Sequence, residues 1–224
     1  ELPGEVYITR TLATYSYELN NKKAPFDNVN IRKALNLSLD RNVITDKVLG
    51  QGQTPTYVFT PTYIEEGHLI QQPAYSKEPM AQRNEEAIKL LEEAGYSKAN
   101  PLKFSILYNT NENHKKVAIA AASMWKANTK GLIDVKLENQ EWKTYIDSRR
   151  AGRYDAARAG WNADYNQATT FGNYFLSNSS NNTAKYANPE YDKAIAESYV
   201  ATDAEGRAKA YAKAEEILAK DFGI

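Results

Sequence analysis

Between residues 84 and 161 the hydrophobic spacing switches repeatedly between two periods, and this switching limits the possible folds more than any other feature. Ala87, Ile88, Leu91 and Ala94 recur at helical spacing, Asn84 stands as their N-cap, and Gly95 closes the run. Residues 102–108 then alternate as a half-buried strand does, with Leu102, Phe104 and Ile106 on one side. A helix is predicted over 112–129, carrying Val117, Ala121, Met124 and Trp125. Ile133, Val135 and Leu137 alternate with Asp134, Lys136 and Glu138 as a second strand. A further helix over 140–151 and a strand over 154–161 complete the series. Strands interleaved with helices predict an α/β lobe in which a mixed β-sheet is flanked by helices.

The flanks extend this pattern. Residues 6–9 and 14–19 are rich in β-branched and aromatic types and are expected to form two short strands. After a turn-rich stretch at 20–25, Asp27 or Asn28 is placed to cap a helix running to about residue 39, with Ile31, Ala34, Leu35 and Ser38 on one face. Asp40 caps a second short helix with Val43, Ile44 and Val48 inward and Gly50 as terminator. From 51 to 79 periodicity vanishes, and so long an irregular segment has a function or wraps a surface. Residues 162–187 read as a loop rich in Asn, Ser and Tyr, and helices are expected over 189–200 and 203–220. Asp221-Phe222-Gly223-Ile224 stands where a strand is expected to begin, so the lobe is read as truncated at its C-terminus.

Charge and motif searches narrow the function by exclusion. Lys and Arg number 28 and Asp and Glu number 28, which supplies no field for nucleic acid. There are no cysteines, so disulfides, thiolate metal sites and a cysteine nucleophile are ruled out together. No apolar run reaches the roughly 18 residues of a membrane span. Glu1-Leu2-Pro3-Gly4-Glu5 has no leader pattern, so any signal peptide is expected to lie outside this sequence. His68 and His114 each lack a partner at metal-ligand spacing, and no phosphate loop, dinucleotide fingerprint or nucleophile elbow occurs. Glu138 and Glu141 lie close in sequence, but one ends a strand and the other opens a helix, where a carboxylate favours the helix N-terminus. No metal, no cofactor and no catalytic activity are therefore expected.

Two segments suit ligand capture. In residues 138–150, Trp142, Tyr145, Ile146 and Arg149 share one helix face, able to frame a ligand or to pack as a core Trp with a snorkelling Arg. In residues 154–166 a strand ends in Gly160-Trp161 and breaks into a polar turn bearing Asp164. Arg158 and Asp164 supply the opposite charges that the two ends of a free peptide need. A structural ion pair of Arg158 with Asp155 or Asp164 is the competing reading. Sixteen tyrosines and three tryptophans add rigid amphipathic rings, which suit a wet binding surface as well as ordinary packing.

These segments, with Asn28 to Gly50, Arg83-Asn84-Glu85-Glu86-Ala87 and His114-Lys115-Lys116, resemble the periplasmic oligopeptide-binding proteins of bacterial ABC importers, extracellular solute-binding family 5. The resemblance covers essentially the whole chain and corresponds to the C-terminal lobe of a two-lobe receptor of the type II periplasmic-binding-protein fold. It implies that residues 1–224 form one ligand-binding lobe, that the partners are a peptide and the membrane-embedded importer subunits, and that the location is the periplasm of a Gram-negative bacterium. It further implies that Asp164 binds a peptide's α-amino group and that Arg158, Arg149 and His114 form an electropositive side taking terminal carboxylates; Arg149 is expected to be exposed because its helix face also carries Trp142. Gly160 and Asn162 are implied to pair their main chain with the peptide, Trp142 and Trp161 to wall side-chain pockets, and Glu18 to supply a pocket acid. Some relatives carry cysteines at the positions of Ala13 and Asn162, which requires those residues to be neighbours in space. A receptor for one particular ligand, such as a murein peptide, is the nearest alternative, and a peptide hydrolase the remote one.

Overall fold

The structure, a computed structural model, describes residues 9–224. The strand expected at 6–9 falls almost wholly outside that range. Four strands form one sheet in the order β1-β4-β2-β3: β1 is Ala13–Leu19, β2 Leu102–Asn109, β3 Ile133–Gln140 and β4 Ala156–Asn162. β2 runs parallel to both β3 and β4, while β1 is antiparallel to β4, so the sheet is mixed as expected.

The chain winds both ways around β2. α3 (Glu112–Asn128) links β2 to β3, and α4 (Trp142–Arg150) carries the chain back past β2 to β4. Right-handed crossovers in opposite directions put their helices on opposite faces. Phe104, Ile106 and Ala156 accordingly pack on one face with Trp125 of α3, whereas Leu107 and Ala157 meet Tyr145 of α4 on the other. The first face is completed by α1 (Val29–Leu37) and α2 (Met80–Glu93), which contribute Ile31, Leu35 and Leu91 at 1% exposure or less.

Capping follows the sequence in several places. Asn28 Oδ1 accepts the Asn30 amide at 2.9 Å, and Asn111 Oδ1 accepts the amides of Asn113 and His114 at 2.8 and 3.1 Å. Asp40 accepts from the Asn42 amide, and Gly50 closes the wide turn Val43–Leu49 at φ 62°, a conformation glycine adopts freely. The helix expected to be capped at Asn84 is capped five residues earlier, at Pro79, because Arg83 belongs to its buried face. Arg83 is 2% exposed and donates to the carbonyls of Asn36, Leu37 and Leu39, capping the end of α1. A buried arginine continues the apolar stripe in a way that hydropathy does not register.

A second core holds the other end of the lobe. The segment 51–79 is largely irregular, apart from one 3-10 turn at Ala74–Lys77. It sends Val58, Phe59, Ile64 and Ile70 into a cluster with α6 (Pro189–Val200) and α7 (Ala204–Asp221). The stretch read as a plain loop contains α5 (Thr169–Gly172) and a following 3-10 turn, whose Phe171 and Phe175 are fully buried there. Glu215 of α7 fastens the irregular segment: its carboxylate accepts the amides of Phe59 and Thr60 at 3.1 and 2.7 Å and the Thr60 hydroxyl at 2.5 Å. No helix of the described residues is long and apolar enough to cross a membrane.

Ala13 and Asn162 are register partners at the β1–β4 edge, although 149 positions separate them (162 − 13). The adjacent Ala163 amide bonds the Leu12 carbonyl at 2.8 Å, which makes Ala13–Asn162 a non-hydrogen-bonded pair, the closer kind, with Cα atoms about 4.5 Å apart. The double substitution Ala13→Cys, Asn162→Cys is therefore expected to form a disulfide under mild oxidation with unchanged circular dichroism. Persistence of two free thiols by mass spectrometry would refute this pairing.

Candidate functional site

The parallel strands end together, at Asn109, Gln140 and Asn162, and the loops beyond them open into a cavity of about 1110 Å³. Ligands of doubly wound sheets bind at such carboxyl ends, where the winding reverses. α3 begins there and places His114 in its first turn; α4 begins there and places Trp142 at its tip. Because β1 is antiparallel, its first half lies against the last residues of β4, and Tyr15 faces Gly160.

Of the nine residues expected at the site, six line this cavity: His114, Trp142, Arg158, Gly160, Trp161 and Asn162. Asp164 sits exposed on the turn two residues beyond, outside the cavity wall. Trp142 is 58% exposed and rests on Tyr145 with the two rings tilted by 36° and their centroids 5.6 Å apart. Trp161 is fixed on both sides, its Nε1 donating to the Thr170 carbonyl at 2.8 Å and its ring packed against Tyr174 at 5.2 Å. Thr170 also accepts the Asp164 amide through its hydroxyl at 3.2 Å. This threonine holds the turn that presents Asp164.

Arg158 forms neither of the ion pairs considered for it, since Asp155 is bound to Lys23 at 2.5 Å. Its guanidinium lies over the Tyr15 ring at 5.2 Å and reaches Asn109 Oδ1 at 3.4 Å, while its Nε has no partner. The Tyr15 hydroxyl meets His114 Nδ1 at 3.2 Å. Partial burial, and then the charge of Arg158, pull the His114 imidazolium down to about 4. His114 is thus neutral near pH 7 and meets an anion as a hydrogen-bond donor rather than as a cation. Tyr15 and Asn109 were not singled out from the sequence; a tyrosine in a Tyr-rich strand and an asparagine at a strand end carry no distinguishing local signal.

Two expectations need correction. Arg149 does not stand exposed beside Trp142, and Glu18 does not line the cavity. Glu18 has no exposed side-chain surface, and Arg149 Nη2 donates to it at 3.1 Å from a side chain 11% exposed. Tyr174 donates to Glu18 at 2.5 Å, and the Thr183 hydroxyl donates to its other oxygen. Burial is the largest single influence and opposes the Arg149 charge, but Glu18 together with Tyr145 and Tyr174 outweighs it and holds the guanidinium above its ordinary pKa. The helix face was identified correctly, yet its far end turns inward because β1 offers a buried carboxylate. Tyr145, wholly buried, accepts from Arg149 Nη1 at 3.3 Å and donates to the Arg158 carbonyl, linking this pair to the strand that forms the cavity floor.

The charges lining the cavity are unbalanced although the whole chain is neutral. Arg10, Arg41 and Arg158 face it, and Glu215 is the one acid among the described lining residues. That carboxylate is occupied by two amides and a hydroxyl, and burial raises its pKa. The interior therefore favours anionic groups, and the free acid Asp164 lies on the turn outside it.

An open α/β cavity at the carboxyl ends of a doubly wound sheet defines a fold of the periplasmic-binding-protein type. The chain matches the family described as "Bacterial extracellular solute-binding proteins, family 5 Middle" over residues 3–183, and it belongs to that family. It is 97% identical over all 224 residues to the periplasmic oligopeptide-binding protein OppA of Haemophilus influenzae, of which the match covers 41%. A crystal structure of Haemophilus influenzae OppA in complex with RPPGFSPFR superposes with a TM-score of 0.97 at 96% identity, over 99% of this chain and 43% of that one. The Escherichia coli murein tripeptide binding protein MppA superposes with a TM-score of 0.92 at 42% identity, over 100% of this chain and 43% of that one. The chain thus spans less than half the length of these relatives.

The Glu18–Arg149 pair generates a stability prediction. Arg149→Met leaves Glu18 as a buried carboxylate without its cation, a loss worth about 3–5 kcal/mol. For a domain of this size that lowers Tm by roughly 10 °C. A thermal melt within 2 °C of the unsubstituted chain would show that the pair does not hold the fold together.

Proposed function

We propose that this chain is the C-terminal lobe of a two-lobe periplasmic receptor that captures oligopeptides for an ABC importer. One observation carries the reading: the near-identical match, in sequence and backbone, to an oligopeptide-binding protein solved with a peptide. In this reading Asp164 pairs with the peptide ammonium at the cavity mouth, and Arg158 with His114 receives a carboxylate inside. Gly160 and Asn162, at the end of β4, offer main-chain bonds to a peptide laid alongside, and Trp142 and Trp161 wall the side-chain pockets. Glu18 and Arg149 act from beneath, by keeping β1, α4 and the floor in place. Bonding through the main chain with roomy pockets tolerates many side chains. The chain's role is binding rather than catalysis, in keeping with relatives described as solute-binding proteins.

A receptor for a single murein peptide is the second reading, supported by the likeness to MppA. Mass spectrometry of peptides copurifying with the full-length receptor separates the two: a mixture of sequences fits the first reading, and one dominant species fits the second. Cleavage of a labelled peptide would overturn both.

In the full-length receptor, Asp164→Ala is expected to weaken binding of free-amine peptides about 10- to 100-fold, the equivalent of a charge-assisted bond of roughly 1.5–3 kcal/mol. N-acetylated peptides should lose little, and equal losses by calorimetry would leave Asp164 a structural role only. The isolated lobe should bind the same peptides weakly or not at all, since half the enclosing surface is missing. Tight binding by the lobe alone would contradict the two-lobe reading.

A further inference from the structure

Arg158 is held with few bonds. Its one side-chain partner, Asn109, is at 3.4 Å, its Nε has none, and the described ion pairs do not include it. Yet the guanidinium occupies a defined place, folded back along its own strand and over Tyr15. Side chains two apart on a strand share a face, so position 160 stands directly where the head of Arg158 lies. A Cβ built on Gly160 would come within 2.8 Å of Arg158 Nη2 and 3.6 Å of its Cζ, with the Thr14 carbonyl at 3.9 Å behind.

We propose that Gly160 is a positioning residue: the space left by its missing side chain seats the Arg158 guanidinium against Tyr15, and so determines where a ligand's carboxylate docks. This rests on the peptide-receptor reading and assigns Gly160 a role separate from any main-chain bond to the ligand. The two roles are separable because alanine at 160 keeps the amide and the carbonyl and changes only the space. The fold accommodates such a change readily, since the methyl meets the tip of a flexible side chain rather than backbone. What must move is the guanidinium, and a planar fork loses its two-point grip on a carboxylate when displaced or tilted.

The test uses the full-length receptor with Gly160→Ala, Arg158→Lys and the double variant. Calorimetry compares a peptide bearing a free C-terminal carboxylate with the same peptide amidated. Gly160→Ala is expected to weaken the carboxylate peptide about tenfold and the amide less than twofold, matching one displaced ion contact. In the Arg158→Lys background the alanine should cost nothing further, because lysine has no Nη2 for the methyl to meet. The ligand-free proteins give an independent readout. Since Arg158 helps to keep His114 near 4, Gly160→Ala should move the His114 midpoint, followed by imidazole NMR. Equal losses for both peptides, an additive loss in the lysine background or an unmoved His114 midpoint would overturn the positioning role. If the unsubstituted receptor binds neither peptide, the peptide-receptor reading fails, and the His114 titration alone decides the role of Gly160.

Discussion

Glu18 is a carboxylate with no exposed side-chain surface, and the three groups that donate to it come from parts of the chain remote from one another. Arg149 comes from α4, Tyr174 from the turn after α5, and Thr183 from the loop beyond it. Each donor lies on an element that could otherwise move independently of β1. Such a pair adds little net stability over an apolar alternative, because desolvation offsets much of the attraction. Its effect is to allow one arrangement: β1 beside β4, α4 beneath them, and the 173–183 stretch closed over the end. The Tyr145 hydroxyl then passes that constraint to the Arg158 carbonyl, on the strand that forms the cavity floor.

The cavity follows from the winding of the sheet. Two crossovers in opposite directions leave the carboxyl ends of β2, β3 and β4 without a covering helix between them. The first turns of α3 and α4 rise on either side and bring His114 and Trp142 to its wall. β1 closes one flank, and Tyr15 brings Arg158 and His114 into a single stack, with ring centroids 5.5 Å apart on the histidine side. The irregular segment 51–79, clamped by Glu215, forms the opposite wall; this is a long loop that wraps a surface, as its length and composition suggested.

The alternation of periods in residues 84–161 was legible because each half-buried strand and amphipathic helix writes its buried face into its own spacing. α1 and α3 were legible to within a residue or two at their starts, since Asn28 and Asn111 cap through their own side chains. Three things were not legible, each because the deciding partner is far away in sequence. Arg83 extends α2 only because α1 ends with unpaired carbonyls beside it. Arg149 turns inward only because Glu18 waits 131 positions earlier. α5 forms because Phe171 and Phe175 find Phe59, not because four residues favour a helix. For the site, the residue types of the 154–166 segment pointed to a strand end that lines the cavity, while the support of Trp161 and the Asp164 turn by Thr170 depends on a contact that no spacing records.

In the peptide-receptor reading proposed above, the charge pattern gives a ligand a direction. A neutral chain exerts no long-range pull, so discrimination must be local, and here the two signs are segregated over a few residues. Arg158 sits inside, in surroundings where a charge is poorly screened and its attraction for a carboxylate is strong. Asp164 sits outside on an exposed turn, where an ammonium can approach while still partly hydrated. Reversing the ligand would bring its ammonium to a cavity lined by three arginines and its carboxylate to Asp164, two repulsive contacts in place of two attractive ones. In that reading, a ligand with a positive head and a negative tail is therefore favoured in one orientation, its carboxylate toward Arg158 and its ammonium toward Asp164.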